Sequence, residues 1–456
     1  MRMNKLLFKS AFCLTLMTGT AIAKVTPEEV RRLGTELTPL GAELAANADG
    51  SIPAWTGGLA AEAGQADEGG FLSDPFAGGK PLFVITAQNV EQYKDKLSSG
   101  QLAMFKRYPD TYRMPVYPSH RTTSVPEEVY QAAKKSAAST EVIAGGNGLG
   151  AFSESRYYAF PIPKSGVEVL WNHVTRYRGG NYRRAIIQAT PQANGSFTPV
   201  RFVDELAFPA DMSDLDTDKA KNLLFVYKQV IDAPARLAGN VLLVHETIDQ
   251  VKEPRLAWLY NAGQRRVRRA PQVSYDGPGN AADGMRTVDN FDMFNGAPDR
   301  YEWKLVGKRE MYVPYNSYKL SSTALKYAEI HQPGHINQDL TRYELHRVWE
   351  VEATLKPGQR HIYSKRTLYF DEDSWMIVLA DHYDGRGQLW RSAEGHNLQH
   401  YIQGTRLYVA EALYDLVSGR YLTLGLSNEE KQNVQFLDKV SANNFTPAAL
   451  RSSGIR

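Results

Sequence analysis

One cysteine occurs in 456 residues, Cys13. It lies ahead of Ala23, in a segment that reads as removable. The chain beyond Ala23 therefore has no thiol for a disulfide, a thiolate zinc site or cysteine-based catalysis. Charge of one sign is lacking too. Lys and Arg total 53 against 50 Asp and Glu, and Arg2, Lys5 and Lys9 are the whole of the excess. A chain without that segment is neutral, which argues against a general nucleic-acid binder. No apolar run after the first segment reaches the ~20 residues of a membrane-spanning helix. Neither a G-x-S-x-G elbow nor a phosphate-binding P-loop is present.

What is abundant is aromatic: 25 Tyr, 17 Phe and 7 Trp, a composition that favours strands. The start has the three parts of a secretory signal. Arg2, Lys5 and Lys9 are the basic end, Ser10 to Met17 the short apolar core, and Ala21-Ile22-Ala23 the small-x-small cleavage site. Cleavage after Ala23 and a periplasmic location follow as expectations. Phe12 ahead of Cys13 fits a lipoprotein cleavage box poorly.

Residues 24–150 read as a helical and extended wrap. Thr26-Pro27-Glu28-Glu29 is a capping box opening a short helix to about Leu33. Thr86 to Leu97 is a second helix, and Ser124-Val125-Pro126-Glu127 opens a third, to about Ser139. From 151 to 426 short apolar runs alternate with turns. The runs are 167–178, 182–189, 197–206, 240–250, 255–260, 300–313, 343–355, 360–370, 375–383, 405–417 and 420–426. Their short connections predict an antiparallel meander, with 427–456 as a tail. Trp375 to Ala380 and Val241 to Val244 are apolar at every position, so both faces of those strands must be covered. The 360–370 run mixes charged and apolar residues, as a strand with one wet face should.

No cluster commits the chain to a reaction. Gly146-x-Gly148-x-x-Ala151 lacks the helix that would hold a pyrophosphate, so it reads as a loop, and no cofactor is expected. His331 with His335, and His396 with His400 beside Glu394, are pairs short of a ligand set. They read as satisfied surface or interface histidines, and no metal is expected. Asp371-Glu372-Asp373 reads as a solvated turn. Arg265-Arg266-Val267-Arg268-Arg269 reads as a strand with Arg265 and Arg269 on one face and Arg266 and Arg268 on the other. It suits a charge-protected sheet edge, or contact with an anionic partner or headgroup.

Several stretches resemble a known family: Leu37-Thr38-Pro39-Leu40-Gly41-Ala42-Glu43, Ile52-Pro53-Ala54-Trp55-Thr56-Gly57-Gly58, Leu256-Ala257-Trp258-Leu259-Tyr260 with the arginine run and Ala270-Pro271, Lys308 to Asn316, and Arg347-Val348-Trp349-Glu350-Val351. The chain resembles the secreted Gram-negative domain-of-unknown-function family number 1329, itself similar to outer-membrane lipoprotein-sorting (LolA/LolB-like) proteins. That resemblance implies an α+β, mostly β fold: a large curved antiparallel sheet, an incomplete barrel, wrapping helices, with an irregular and helical N-terminal extension. It also implies an apolar cavity and no catalytic residues. An inner-membrane exporter of the resistance-nodulation-division class is the implied partner. This chain is much longer than the small carriers and adds the wrap, so lipoprotein cargo is not carried over.

The expected function is a periplasmic, non-enzymatic carrier for a lipid, acyl chain or sterol-like molecule. Its expected ligand contacts are Trp171, Trp258, Tyr260, Trp303, Trp349, Trp375, Ile377 and Leu379. Partner or headgroup contacts are expected at Arg265, Arg266, Arg268 and Arg269. The alternatives are an adaptor subunit of an envelope transport complex and a secreted hydrolase.

Overall fold

Strand alternation over more than half the chain builds one sheet. The computed structural model describes residues 24–152 and 156–454. The signal segment and its cleavage site lie outside the described residues. In order across the sheet, the strands are Phe83–Ile85, Met114–Tyr117, Tyr343–Leu355, Lys365–Asp371, Ile377–Tyr383, Leu389–His400, Thr405–Asp415, Tyr421–Leu426, Asn181–Ala189, Val200–Ala207, Leu223–Ala233, Val241–Thr247, Leu256–Asn261 and Arg266–Arg269. Tyr301–Pro314 also pairs with Tyr343–Leu355, and Gln435–Leu437 with Asn181–Ala189. Pairing is antiparallel except where Met114–Tyr117 meets Tyr343 and Glu344. Arg266–Arg269 and Tyr301–Pro314 do not pair with each other, which leaves a curved, unclosed sheet. Both the N-terminal part and the tail thus contribute strands to it.

The inner face is packed against helix α4, Gly166–Thr175, every residue of which is buried. The sequence reading made 167–178 a strand, because its valines and Trp171 favour one. The local signal for a helix was Ser165-x-x-Glu168. Ser165 Oγ accepts from Glu168 N and Glu168 Oε2 accepts from Ser165 N, a closed capping box. Inside, Asn172 exchanges two 2.7 Å bonds with the Phe160 backbone. The His173 Nδ1 accepts from Ile377 N at 3.2 Å, leaving Nε2 to donate to Asp292 O at 2.8 Å. Burial, reinforced by the Arg176 charge, pushes His173 down to about 3 and keeps the ring neutral.

Much of the outer face is covered by residues 52–116, whereas Leu40, Val125, Val129 and Ala133 of the N-terminal part join the inner cluster. Ile52, Ile85, Leu97, Met104, Phe105, Met114 and Val116 pack against Leu398, Ala410, Tyr414 and Leu426 from the sheet. The capping box at Thr26 forms and starts helix α1, Pro27–Arg31. Two helix expectations are corrected. Residues 86–97 form two short 3-10 turns, Val90–Gln92 and Lys94–Lys96. The third helix, Glu127–Ser139, is not capped by Ser124, whose Oγ donates to Leu59 O. Another helix, Ser99–Arg107, was missed, although Ser98 and Gln101 form its capping box.

Both faces of the all-apolar runs are covered. Ile377 and Ala380 join the inner core, while Val378 and Leu379 pack outward on Met311, Val313 and Tyr315. Leu242 and Val244 face in, and Val241 and Leu243 face out. The 360–370 run has no wet face at Arg366, which is fully buried and ion-paired with Asp289 at 2.7 Å.

The turn Asp371 to Ser374 is buried rather than solvated, because cations from three segments converge on it. Arg121 binds both oxygens of Asp373, at 3.0 and 2.6 Å. Arg347 and Lys308 reach Glu372 at 2.8 and 2.9 Å. Asp371 Oδ2 accepts from Ser374 N, Ser374 Oγ and Tyr315 OH. Trp375 Nε1 donates to Leu40 O at 2.9 Å, tying this turn to the wrap. Beside it Gly41, at φ +96°, passes so close to Pro161 that a Cβ would stand 1.8 Å from its carbonyl oxygen.

Arg121→Ala should destabilise the protein by ~3–5 kcal/mol in equilibrium urea unfolding, since it strands the Asp373 charge in the interior. A second expectation concerns acid. Burial alone would raise the Glu344 pKa, but the hydrogen bond from His346 and the Arg342 charge outweigh it and hold the carboxyl at about 2. The unfolded value is higher, so this stabilisation is complete above pH ~4.5 and is lost as pH falls toward 2. Glu344→Gln should flatten that acid limb of the stability–pH curve by roughly 3 kcal/mol.

Candidate functional site

The expected aromatic and apolar contacts do not converge on one wall. Trp171 lies on α4, not on a strand, and is 1% exposed. Trp375, Ile377 and Leu379 are fully buried, with Trp375 in the turn before the strand that begins at Ile377. Trp349 stacks on Trp375 at 6.1 Å, and Lys308 Nζ sits 4.8 Å over its ring. Trp303 packs edge-on against Phe294 and donates to Pro298 O. These residues fill the interior with side chains in mutual contact. The space expected along the concave face is occupied by α4 and its neighbours.

An apolar cavity does exist on the other face of the sheet. It measures about 410 Å³ and lies between the outer side of Leu223–Ala233, Val241–Thr247 and Leu256–Asn261 and a roof made by residues 212–222 and 442–447. That size falls in the usual range for small-molecule sites. Alternation supplies the floor: Val226 is opposite His245, His245 is opposite Leu256, and Trp258 stands one pair further along. Met212, Leu223 and Phe445 close the sides. Trp258 is half-buried, and Tyr260 lies beyond it in the same outer cluster.

Polar groups tie the roof to the floor. His245 Nε2 lies 2.7 Å from Phe445 O, and burial lowers the His245 pKa. The neutral ring donates from Nε2 to that carbonyl and meets Trp258 edge-on at 5.0 Å. Lys228 Nζ lies 5.1 Å over the Phe445 ring and donates to Asn444 O at 3.4 Å. The histidine is committed to a carbonyl, and the rim carboxylates Asp214, Asp216 and Glu253 stand among mostly apolar walls.

The arginine run forms the adjoining sheet edge. Among the described residues, Arg266–Arg269 pairs only with Leu256–Asn261. Arg269 lies 5.0 Å over the Trp258 ring, on the pocket side. Arg266 and Arg268 are exposed on the opposite face, beside the exposed Leu259, and Arg265 lies in the preceding turn at φ +52°. The run thus sets one arginine over Trp258 beside the cavity floor and leaves two exposed on the opposite face.

The paired histidines are buried rather than at the surface; His331, His335 and His400 hold structural bonds, whereas both ring nitrogens of His396 lack a hydrogen-bond partner. His331 bridges Tyr327 O and Thr423 Oγ1, and His335 bridges Thr111 Oγ1 and Ile336 O. His396 and His400 lie on a strand, Leu389–His400, not a helix. Gly148–Gly150 pairs with Glu141–Ile143 as a hairpin, so no helix follows the glycine motif. His346, Asp371 and Asp373 place donor atoms within 4.8 Å of one another. Arg121, Tyr315 and Ser374 already occupy most of those carboxylate oxygens, so the trio reads as part of the buried ion network. Residues 212–222 and 442–447 were missed as site residues. Phe445 and Pro447 were a weak signal, standing among other apolar tail residues such as Phe436, Leu437 and Leu450.

Three comparisons with known proteins bear on identity. The family model described as "Protein of unknown function (DUF1329)" matches residues 84–451. The uncharacterized protein PA3922 of Pseudomonas aeruginosa is 62% identical over 451 residues, 99% of each chain. Among solved structures, an outer-membrane lipoprotein-sorting protein domain from Vibrio parahaemolyticus is similar at 14% identity and TM-score 0.43, over 63% of this chain and 98% of that one. A DUF1329 family protein from Desulfovibrio piger is similar at 16% identity and TM-score 0.40, over 59% and 90%. With its family model matched along most of its length and a relative aligned nearly end to end, this chain belongs to the DUF1329 family.

Proposed function

We propose that this protein is an exported, non-enzymatic carrier that shelters a hydrophobic molecule, such as an acyl chain, in the cavity under the 442–447 segment. The observation that carries this reading is the roughly 410 Å³ apolar space floored by Val226, Leu256 and Trp258. Burial of apolar ligand area, at roughly 25 cal/mol per Å² before ordering costs, supplies the affinity. The reading keeps the carrier role expected from the sequence but moves the guest from the concave face to the outer one. The amino-terminal signal pattern supports a periplasmic workplace. Transfer to or from an inner-membrane exporter of the resistance-nodulation-division class belongs to the same reading.

Titration of the purified protein with a fluorescent acyl probe such as cis-parinaric acid tests it. Saturable binding is expected. Trp258→Ala should weaken it by about tenfold or more, the worth of a buried aromatic wall. Met212→Trp, which fills the cavity, should abolish it while circular dichroism shows an unchanged fold. Binding that ignores both substitutions sinks the assignment of this cavity.

A second reading, docking on an anionic surface, is favoured by the exposed Arg266 and Arg268 at an unpaired sheet edge. Vesicles containing phosphatidylglycerol should retain the protein at low salt and release it as salt rises. With roughly 1 kcal/mol per arginine at a charged surface, the Arg266→Glu, Arg268→Glu double variant should lose retention and keep probe binding. Equal retention by phosphatidylcholine vesicles counts against this reading.

A further inference from the structure

The filled interior of the sheet contains a second, chemically different space. Alternation along Asn181–Ala189 sends Tyr182, Arg184 and Ile186 inward and Arg183 and Ala185 outward. Arg184 there faces Arg176 and Arg178, which follow the C-terminal end of α4. Between the three guanidiniums is a void of about 40 Å³, walled by Tyr182, Phe225, Tyr227 and Tyr408 and bordered by Asp292 and Glu411.

The cations in this space outnumber their partners. Asp292 serves two of them: Arg176 grips both its oxygens, and Arg178 Nη2 donates to Oδ2 at 2.9 Å. Arg184 reaches only Asp204 Oδ2, at 3.4 Å. Asp204 Oδ1 is already an acceptor for Gln229 at 3.1 Å. Glu411 Oε2 accepts from Met293 N at 2.8 Å. Nε of Arg176 and Nε of Arg184 are buried with no hydrogen-bond partner, although the Arg176 side chain is only 4% exposed. A buried N–H of a charged group left unmade is costly. A fourth guanidinium, Arg286, acts on Glu411 as well but is hydrogen-bonded to Gln188 and Thr287 O.

Titration does not restore the balance. Asp292 stays ionised, because the Arg176 and Arg178 charges outweigh its burial. Burial and the Asp292 charge push Glu411 up to about 7, and burial also raises Asp204. His173, Tyr182, Tyr227 and Tyr408 face the space uncharged. Near neutral pH the chamber holds more positive charge than its carboxylates offset, in a largely buried space where the Arg184 side chain keeps 17% exposure.

We propose that this chamber binds an oxyanion, a carboxylate or phosphate group accepting hydrogen bonds from Arg184 and Arg176. Planar guanidiniums match such groups in geometry as well as charge. The void exceeds the ~10–15 Å³ that one water needs yet has no room for a ring system, so it suits a group of a few heavy atoms. Aromatic walls would cover the first carbons of a headgroup that carries a chain. The site is separate from the outer cavity and stands whether or not that cavity takes a guest.

Thermal unfolding of the full protein in a zwitterionic buffer, with inorganic phosphate, acetate or laurate added, tests the proposal. Saturable stabilisation by at least one of them is expected, as for any ligand selective for the folded state. Stabilisation by phosphate without laurate identifies a free anion; laurate acting at far lower concentration than acetate identifies a headgroup. Arg184→Gln should weaken the effective anion about tenfold or more. Arg183→Gln, on the outward side of the same strand, should leave it unchanged, and Met212→Trp should not alter it. A wild-type protein indifferent to all three anions overturns the proposal, however the variants fold; so does equal stabilisation of wild type and Arg184→Gln.

Discussion

The structure depends on covering both faces of a single open sheet. A closed barrel buries its own interior, but this sheet ends in two unpaired edges and is apolar outside as well as in. The chain answers with α4 and residues 125–133 on one side and residues 52–116 on the other. The covers meet at Asp371 to Trp375. There Arg121 and Leu40 of the wrap and Arg347 of the sheet bond to Asp373, Trp375 and Glu372, and His173 of the helix accepts from Ile377 N two residues on. Desolvating three adjacent carboxylates is expensive. The cost is met because Arg121 of the wrap holds Asp373, Arg347 and Lys308 of the sheet hold Glu372, and the Tyr315 and Ser374 hydroxyls hold Asp371, so the ion network ties the wrap to the sheet.

This coverage decides where binding can occur. With Trp171, Trp375 and Phe370 packed on one another in the interior, the concave side keeps only a small polar chamber. The wrap does not extend over the outer face of strands 223–233, 241–247 and 256–261. There a shorter cover, the end of the tail with residues 212–222, leaves the apolar cavity. The carrier reading therefore rests on the incomplete cover rather than on an empty barrel.

Much of the sheet was legible in the sequence, since short turns and apolar runs are local signals. The Arg265–Arg269 edge followed from arginines on both faces, and the two-sided burial of Trp375–Ala380 from a run with no polar alternation at all. The strand Leu223–Ala233 went unread, and so did Leu389–His400, whose Glu394, His396 and His400 look polar but are buried. Their partners are distant: Glu394 accepts from Tyr112 and Tyr343. The same holds for Arg366 with Asp289 and Arg121 with Asp373. Charged residues whose counter-ions lie far along the chain mimic solvated ones. The α4 helix was misread because valine and tryptophan outweighed a capping box that proved decisive. The cavity was hidden for a related reason, as its roof and floor come from segments about 200 residues apart.

The roof of the outer cavity has a mechanical consequence. It is pinned to the floor by Phe445 O on His245 and Asn444 O on Lys228, whereas the floor is held by continuous strand ladders. Peeling back residues 442–447 breaks a few contacts and leaves the ladders of the main sheet intact, while the parallel pairing of Val440–Ser441 with Met212–Ser213 keeps the two halves of the roof joined. On the carrier reading, loading and unloading would then be a local hinge event at this roof.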